Sequence, residues 1–265
     1  MVWYIMIKTN LFEETGDRKI VQKKGCFSVL EYSHDVSVSM NTAISSYYAS
    51  KVGVRKRHVI AELDGNAVIL QSGLMQWFAG DIDVQVTAKG KTDMLKKMVG
   101  SRVTGEASVK PKFSGSGIVV LEPTYKYVLL EDISDWGGAL IMDDSLFLAC
   151  EDSLDMNVSS RSSLSSSVMS GEGQFSTSLS GNGVAAIRCP VPREELIVIE
   201  LENDALRIDG NFAIAWTPGL QFSVERTVGN IVNSTASGEG TVNVFRGTGK
   251  VLMAPACGSI GMAAP

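Results

Sequence analysis

The sequence predicts an all-β fold made of three tandem β-rich repeats, with little helix. Polar and apolar residues alternate in several stretches, such as residues 81–86, which is the pattern of a strand with one buried face. Asp-Gly pairs stand between apolar runs, at 64–65 and 209–210, and such pairs mark turns. A Gly-x-Gly sequence recurs with its first glycine at 115, 181 and 247, so both intervals are 66 residues.

The three glycine segments, at 113–121, 179–187 and 245–253, share their surroundings. A large apolar residue stands two positions before each first glycine, and alternating apolar residues follow each second glycine. An apolar residue and a glutamate come earlier in each unit, and a proline comes after it: Leu30-Glu31, Leu130-Glu131 and Ile199-Glu200, then Pro123, Pro190 and Pro255. We expect the glycines to bend a strand, because glycine in a strand pattern marks a bulge or the close approach of another backbone.

The repeats predict three consecutive units that form one compact body about an approximate threefold axis. Residues 1–124 hold an N-terminal segment and the first and longest repeat, and the last residues form a tail after the third repeat. The second repeat, the third repeat and the tail cover residues 125–190, 191–256 and 257–265.

Few segments have a helical pattern. Residues 92–99 predict a two-turn amphipathic helix that ends at Gly100, whereas residues 43–51 fit either a helix or a strand. Residues 35–40 alternate and predict a strand. Residues 158–170 contain eight serines and fit either a mobile loop or a polar edge strand.

Composition and charge exclude several classes of function. The net charge of −5 gives no general attraction to nucleic acid or to anionic lipid. Two histidines, His34 and His58, are too few for a His-rich metal site and argue against a Ser-His-Asp triad. The N-terminus lacks a signal-peptide pattern, and no apolar run approaches the roughly 18 residues of a membrane span. We therefore expect a cytoplasmic protein.

The motifs that carry chemistry are incomplete. Four cysteines lie far apart without a Cys-x-x-Cys pair, so they are expected to be inert thiols in a reducing compartment: Cys26, Cys150, Cys189 and Cys257. The sequence 246–250 resembles the end of a phosphate-binding loop, but Val244 and Val251 stand where that motif needs Gly and Ser or Thr. Asp81 and Asp83 fit the exposed face of a strand better than a metal site.

Charged clusters do not single out a catalytic pair. Adjacent acids would point to opposite faces of a strand: 13–14, 131–132, 143–144, 151–152 and 194–195. The basic run at 55–58 could face a phosphate or an acidic partner, although a solvated strand end is the favoured interpretation. No catalytic, cofactor-binding or metal-ligating residue is assigned, and no cofactor is expected.

At the glycine segments the chain resembles the altered-inheritance-of-mitochondria family number twenty-four, long catalogued as a domain of unknown function. The resemblance covers residues 27–256 and rests on Gly-Glu followed by Gly-x-Gly, most clearly in Gly105-Glu106 and Gly115-x-Gly117. It implies a fold similar to the trp RNA-binding attenuation protein, a short double-stranded β-helix or sandwich repeated within one chain. It also implies homo-oligomers, and it supplies no catalytic residues.

Three hypotheses of function remain open. The favoured one is a non-enzymatic scaffold or interaction protein, homo-oligomeric with a trimer preferred, that can bind a protein partner. A second is a small-molecule or RNA-binding module, although nucleic acid is disfavoured by charge; RNA would need one face that gathers the cations Lys51, Arg55, Lys56, Arg57, Lys110 and Lys112. A third is a hydrolase that uses two carboxylates in a cleft.

Overall fold

The computed structural model describes residues 8–86, 110–160, 175–226 and 241–256. The helix expected at 92–99, the tail at 257–265 and most of the serine-rich segment lie outside these residues. The first three residues of that segment belong to a strand. The chain is mostly β, as expected, and its strands form two curled sheets.

Fifteen strands and one α-helix follow one another along the described residues. The first half contains β1 (Arg18–Lys24), β2 (Phe27–Tyr32), α1 (Ala43–Lys51), β3 (Arg57–Leu70), β4 (Met75–Val86), β5 (Pro111–Leu121), β6 (Tyr127–Asp132), β7 (Ala139–Asp143) and β8 (Phe147–Glu151). The second half contains β9 (Leu154–Ser160), β10 (Phe175–Gly181), β11 (Val184–Cys189), β12 (Ile197–Asp209), β13 (Ala213–Trp216), β14 (Leu220–Arg226) and β15 (Thr241–Met253). Short 3₁₀ turns follow β6, β7 and β11.

Within the described ranges the first sheet has eight strands and the second has seven. In the first sheet the strand order is β1-β2-β3-β8-β11-β6, and β5 pairs with both β3 and β4. In the second sheet the order is β12-β15-β13-β7-β10-β9, and β14 also pairs with β15. The pairs named in this topology are antiparallel, which lets each sheet bury one face and expose the other.

The Gly-x-Gly segments lie in strands that have partners on both sides. β5 lies between β3 and β4, and β15 lies between β12 and the pair β13 and β14. The middle segment is split, because β10 ends at Gly181 and β11 begins at Val184. β10 pairs with β7 and β9, while β11 pairs with β6 and β8.

The predicted bend is present at these glycines. Gly115, Gly181 and Gly247 have φ angles of +130°, +113° and +127°, which side-chain-bearing residues rarely adopt. A Cβ on Gly115 would collide with the carbonyl oxygen of Asp81 on the neighbouring strand. The partner strands bulge opposite the first and third bends. The 246–250 sequence lies within β15, so it does not form a phosphate-binding loop.

Two local predictions are wrong. Residues 64–66, expected as a hairpin turn, form the bulge inside the continuous strand β3, because the chain runs on past Gly65 to pair with β5. Residues 35–40 form no strand: the Asp35 carboxylate accepts a hydrogen bond from the Ser37 amide at 2.8 Å and turns the backbone away from strand geometry. The segment 43–51 is the helix α1.

Among the described residues, the buried apolar side chains form four core clusters. Its largest fully buried members are the phenylalanines Phe27, Phe113, Phe147 and Phe245. Trp136 and Trp216 are buried, and Trp77 packs partly buried against one cluster. Burial of this apolar surface is the main force that holds the two sheets together.

Candidate interaction surfaces

The three basic side chains of residues 55–57 form ion pairs within the protein. Arg55 Nη1 lies 2.8 Å from Glu31 Oε1, and Arg57 Nη2 lies 2.6 Å from Glu31 Oε2. Lys56 Nζ lies 3.1 Å from Asp35 Oδ1. The prediction of a solvated strand end is therefore wrong: β2 pairs with β3 in a register that brings Glu31 directly opposite Arg57.

Arg57 anchors the segment that connects β2 to β3. Its side chain is only 4% exposed, and its guanidinium lies 4.2 Å from the centre of the Tyr127 ring. It also donates to the Gly53 carbonyl oxygen at 3.1 Å. A second anchor is the hydrogen bond from the Tyr125 hydroxyl to Asp35, which lowers the pKa of Asp35 and raises the pKa of Tyr125 to about 12. Ion pairs and polar contacts thus hold this segment against the sheet.

The helix α1 in that segment turns its apolar residues outward. Ile44 and Tyr48 of the helix are 74% and 66% exposed, and Tyr47 beside them is 55% exposed. Met40, before the helix, and Val52, just after it, continue the four-residue spacing and are 92% and 74% exposed. Ser50 is the only buried residue of the helix. A helix of a globular protein normally turns its apolar stripe towards the core. We name these five residues the α1 stripe.

The α1 stripe lies in an uncharged part of the sequence. Residues 36–52 contain a single charged side chain, Lys51, whose ammonium lies 4.9 Å from the centre of the Tyr47 ring. Exposed apolar surface of this kind marks a contact with another molecule. A helix that binds a membrane surface carries several Lys or Arg residues on its polar face, which α1 does not.

A cleft lies where the 3₁₀ turn after β6 meets the face of β12 and β15. It encloses about 320 Å³ and is lined by apolar and charged residues: Lys24, Leu130, Glu131, Asp135, Trp136, Arg193, Val198, Glu200, Lys250 and Leu252. Glu131 is buried and accepts hydrogen bonds from Arg193 and, at 3.1 Å, from Trp136 Nε1. The two hydrogen bonds fix the Glu131 carboxylate against the wall of the cleft.

The cations on the other side of the cleft are also engaged. Lys250 Nζ lies 4.2 Å from the centre of the Trp136 ring and donates to the Asp135 carbonyl oxygen at 2.9 Å. Lys24 Nζ pairs with the Asp135 carboxylate at 3.2 Å. These contacts connect the first sheet to the second and give the cleft a structural role.

A buried charge cluster joins the residue before β5 and the 3₁₀ turn after β7 to the strand β10. Lys110 and Asp144 form an ion pair at 2.8 Å, with their side chains 2% and 9% exposed. Thr177 also donates to Asp144, and Lys110 lies 4.7 Å from the centre of the Phe147 ring. Because Lys110 is buried and Lys112 pairs with Asp152, these two lysines do not join an exposed basic face. The cations that the RNA hypothesis requires are thus engaged within the protein.

The described cysteines are poor nucleophiles. Burial raises the pKa of Cys26, and it raises the pKa values of Cys150 and Cys189 to about 12 and about 11. Cys257 lies outside the described residues. Within the described ranges no three or more His, Cys, Asp or Glu side chains gather as metal ligands. Asp81 and Asp83 are exposed on β4. No helix in the described part of the chain is long and apolar enough to span a membrane.

Comparison with known proteins identifies the family. Residues 48–256, most of the chain, match the family model described as mitochondrial biogenesis AIM24. The chain belongs to the AIM24 family. The matched region begins inside α1 and ends just after β15, so it contains all strands that bear the glycine segments.

Two relatives of this AIM24 protein come from Streptococcus pyogenes. An uncharacterized protein of serotype M6 is 26% identical over 203 residues, which cover 72% of this chain and 79% of the relative. A crystal structure of an S. pyogenes protein from a structural genomics consortium has a TM-score of 0.54 and 20% sequence identity. That likeness covers 77% of this chain and 89% of the other, and it shows a shared fold.

The α1 stripe and the Glu31 network were not predicted from the AIM24 sequence. The stripe was detectable, because Met40, Ile44, Tyr48 and Val52 are spaced four residues apart, although the same pattern usually predicts a buried face. No local pattern indicated the network, since Glu31 and Arg57 are 26 residues apart.

Proposed function

We propose that this AIM24 protein is a non-enzymatic scaffold that associates with a second copy of itself through the α1 stripe. The observation that carries the proposal is the outward apolar face of α1 on a segment held in place by the Glu31 ion pairs. Because the surface is anchored before contact, association costs little conformational entropy.

A second copy of the chain can meet this surface without a clash of acidic side chains. Each chain carries a net charge of −5, so two copies repel each other over most of their surfaces. The stripe and its neighbours at 36–52 contain only Lys51, so two stripes can meet without an acidic pair. A contact between identical patches is closed and two-fold, the commonest symmetry of soluble oligomers, so the proposed oligomer is a dimer in place of the trimer preferred from the sequence alone.

The proposal includes three repeated units as the body of the scaffold. Its support is the positive φ shared by the three bent glycines, together with a register shared by the first and third units, in which Leu63 faces Gly117 and Leu201 faces Gly249. In this register Glu62, the residue before Leu63, corresponds to Glu200, the residue before Leu201. Glu31, which the sequence pattern matched to Glu200, lies on β2 and does not occupy that position. The threefold arrangement of the units and a cytoplasmic location stay predictions.

The experiment is a light-scattering mass of the full chain and of the double variant Ile44→Glu, Tyr48→Glu. We expect the wild-type chain to form an oligomer and the variant to have the mass of one chain, since a charge in an apolar contact is left unpaired. Val84→Glu with Val86→Glu is the matched control, because it places the same two charges at exposed apolar residues outside α1. A wild-type mass of one chain, or an oligomer that the α1 variant leaves intact, would contradict the proposal.

A further inference from the structure

The strand β12 leaves one side of its backbone open. Within the described residues it pairs only with β15, so its other side presents the amides and carbonyls of an edge strand. Ile197 and Val198 at the start of β12 are 42% and 56% exposed. An edge with bare apolar side chains is a template on which another strand can add.

In the first repeat, the stretch of β3 that corresponds to the start of β12 is covered by β2 of the same chain. Leu63 faces the second glycine of its segment as Leu201 does, so Val59 and Ile60 correspond to Ile197 and Val198. β2 pairs there with residues 57–61 and leaves Val59 and Ile60 only 2% and 0% exposed. The fold therefore shows at β3 how an extended segment of five residues occupies such an edge.

The acidic residues near β12 favour a partner segment that carries positive charge. Residues 194–204 contain five acids and no lysine or arginine, and the acids are Glu194, Glu195, Glu200, Glu202 and Asp204. The nearest cations are engaged elsewhere: Arg193 binds Glu131, and Lys250 lies against Trp136. A second copy of β12 would place acids against acids, whereas a basic strand would meet opposite charges.

We propose that the open edge of β12 binds an extended, basic segment of a partner protein by strand addition. Main-chain hydrogen bonds supply the pairing, and apolar side chains of the segment lie against Ile197 and Ile199, which share one face of β12. Lysine or arginine side chains at alternate positions lie against Glu200 and Glu202. This inference rests on the scaffold function and adds to it a surface separate from α1.

The binding test uses a labelled nine-residue peptide of alternating valine and lysine, followed by fluorescence anisotropy. A peptide of equal charge with proline at the central valine is the control for charge alone, because proline lacks the amide that pairing needs. We expect the alternating peptide to bind at least about tenfold more tightly than the proline peptide. Equal binding of the two peptides would show mere attraction to an acidic protein and would overturn the proposal.

Variants locate the site. Glu200→Lys with Glu202→Lys is expected to weaken binding of the alternating peptide at least about tenfold. Asp81→Lys with Asp83→Lys reverses two exposed acids on β4, also an edge strand, and is expected to leave binding unchanged. The opposite pattern, or an equal effect of both variants, would contradict the assignment to β12.

Hydrogen exchange gives an independent readout. The backbone amides of residues 197–203 that point away from β15 should exchange their hydrogens rapidly in the free protein. They should exchange slowly with the peptide bound. Slow exchange in the free protein would show that another part of the chain already covers the edge, and the proposal would fail. The mass of the α1 variant tests the scaffold separately, so peptide binding by a chain that does not self-associate would leave β12 assigned and α1 refuted.

Discussion

Glu31 is a single carboxylate shared by two guanidinium groups at the boundary of the first sheet. Its two oxygens lie 2.8 Å from Arg55 and 2.6 Å from Arg57. Arg57 is 4% exposed, so it depends on Glu31 to balance a charge that has left water. This one residue therefore connects the stability of β3 with the position of the α1 segment.

Glu31→Gln should destabilise the protein by about 3–5 kcal/mol, because it leaves the Arg57 charge buried and uncompensated. Denaturant unfolding followed by circular dichroism measures the change. The control is Glu62→Gln, which removes an exposed ion pair with Lys23 and should cost less than about 1 kcal/mol. Similar losses of unfolding free energy in the two variants would mean that the burial of Arg57 does not determine how much its ion pair with Glu31 stabilises the protein.

His58 makes the stability depend on pH. Burial lowers the pKa of His58 below its ordinary value of 6.5, and the Lys56 charge adds to that shift, while the bond from Nδ1 to the Leu121 carbonyl oxygen at 3.0 Å and the charge of Glu122 oppose it. The unfolded chain therefore takes up the His58 proton at a higher pH than the native protein does. The stabilisation from neutral His58 is complete above pH 6.5 and is lost as the pH falls towards the native pKa.

Unfolding free energies of wild type and His58→Gln between pH 8 and pH 5 check this sign. The wild type should lose more stability on acidification than the variant, with a difference in slope of at most about 1.4 kcal/mol per pH unit, the limit for one proton. His34→Gln is the control, because His34 is exposed. Parallel curves for wild type and His58→Gln would refute the role of His58.

At the scale of the elements, the bent strands decide the shape of the sheets. A strand with partners on both sides can turn a corner only under two conditions. One of its residues must adopt a φ outside the extended region, and the facing strand must take up the difference in length with a bulge. Gly115 and Gly247 meet both needs, and bulges at 64–66 and 201–204 take up the difference in length on the facing strands. The glycine pairs thus have a conformational role.

Gly115→Ala should destabilise the protein by about 2–4 kcal/mol, since the new Cβ adds a collision with the Asp81 carbonyl to the strain of a positive φ. Gly65→Ala separates the two causes: its φ is +77°, but no atom lies within 4 Å of the added Cβ. That control should cost only about 1–2 kcal/mol. Thermal unfolding compares the variants, and equal costs would argue against a collision at Gly115.

At the scale of the molecule, the two sheets meet through both apolar packing and charge. The cleft joins β6 of the first sheet to β12 and β15 of the second, with Glu131, Trp136 and Lys250 in contact across it. The strand content and the glycine bends were predictable, because each depends on the local chain. The pairing of the sheets was not, since β3 with β8 and β7 with β13 join residues that lie far apart in the sequence.

The exposed surfaces also depended on long-range pairing. The alternation of apolar residues in β3 and β12 looks alike, yet Val59 is buried and Ile197 is exposed, because β2 covers the first place. Likewise, the apolar residues of α1 would predict a buried helix face, yet they are exposed in a segment whose C-terminal end is anchored by the ion pairs of Glu31 with Arg55 and Arg57. Whether a side chain is buried therefore depends on which other elements pack against it.

The amino-acid sequence by itself determined the β class, the places where the backbone must bend and the acidic charge of this AIM24 protein, because these follow from side-chain periodicity, the steric freedom of glycine and composition. Only the tertiary structure decided which cations are paired, which strand edge stays open and which way α1 faces. These depend on contacts between residues far apart in the chain, and local conformation does not specify distant partners.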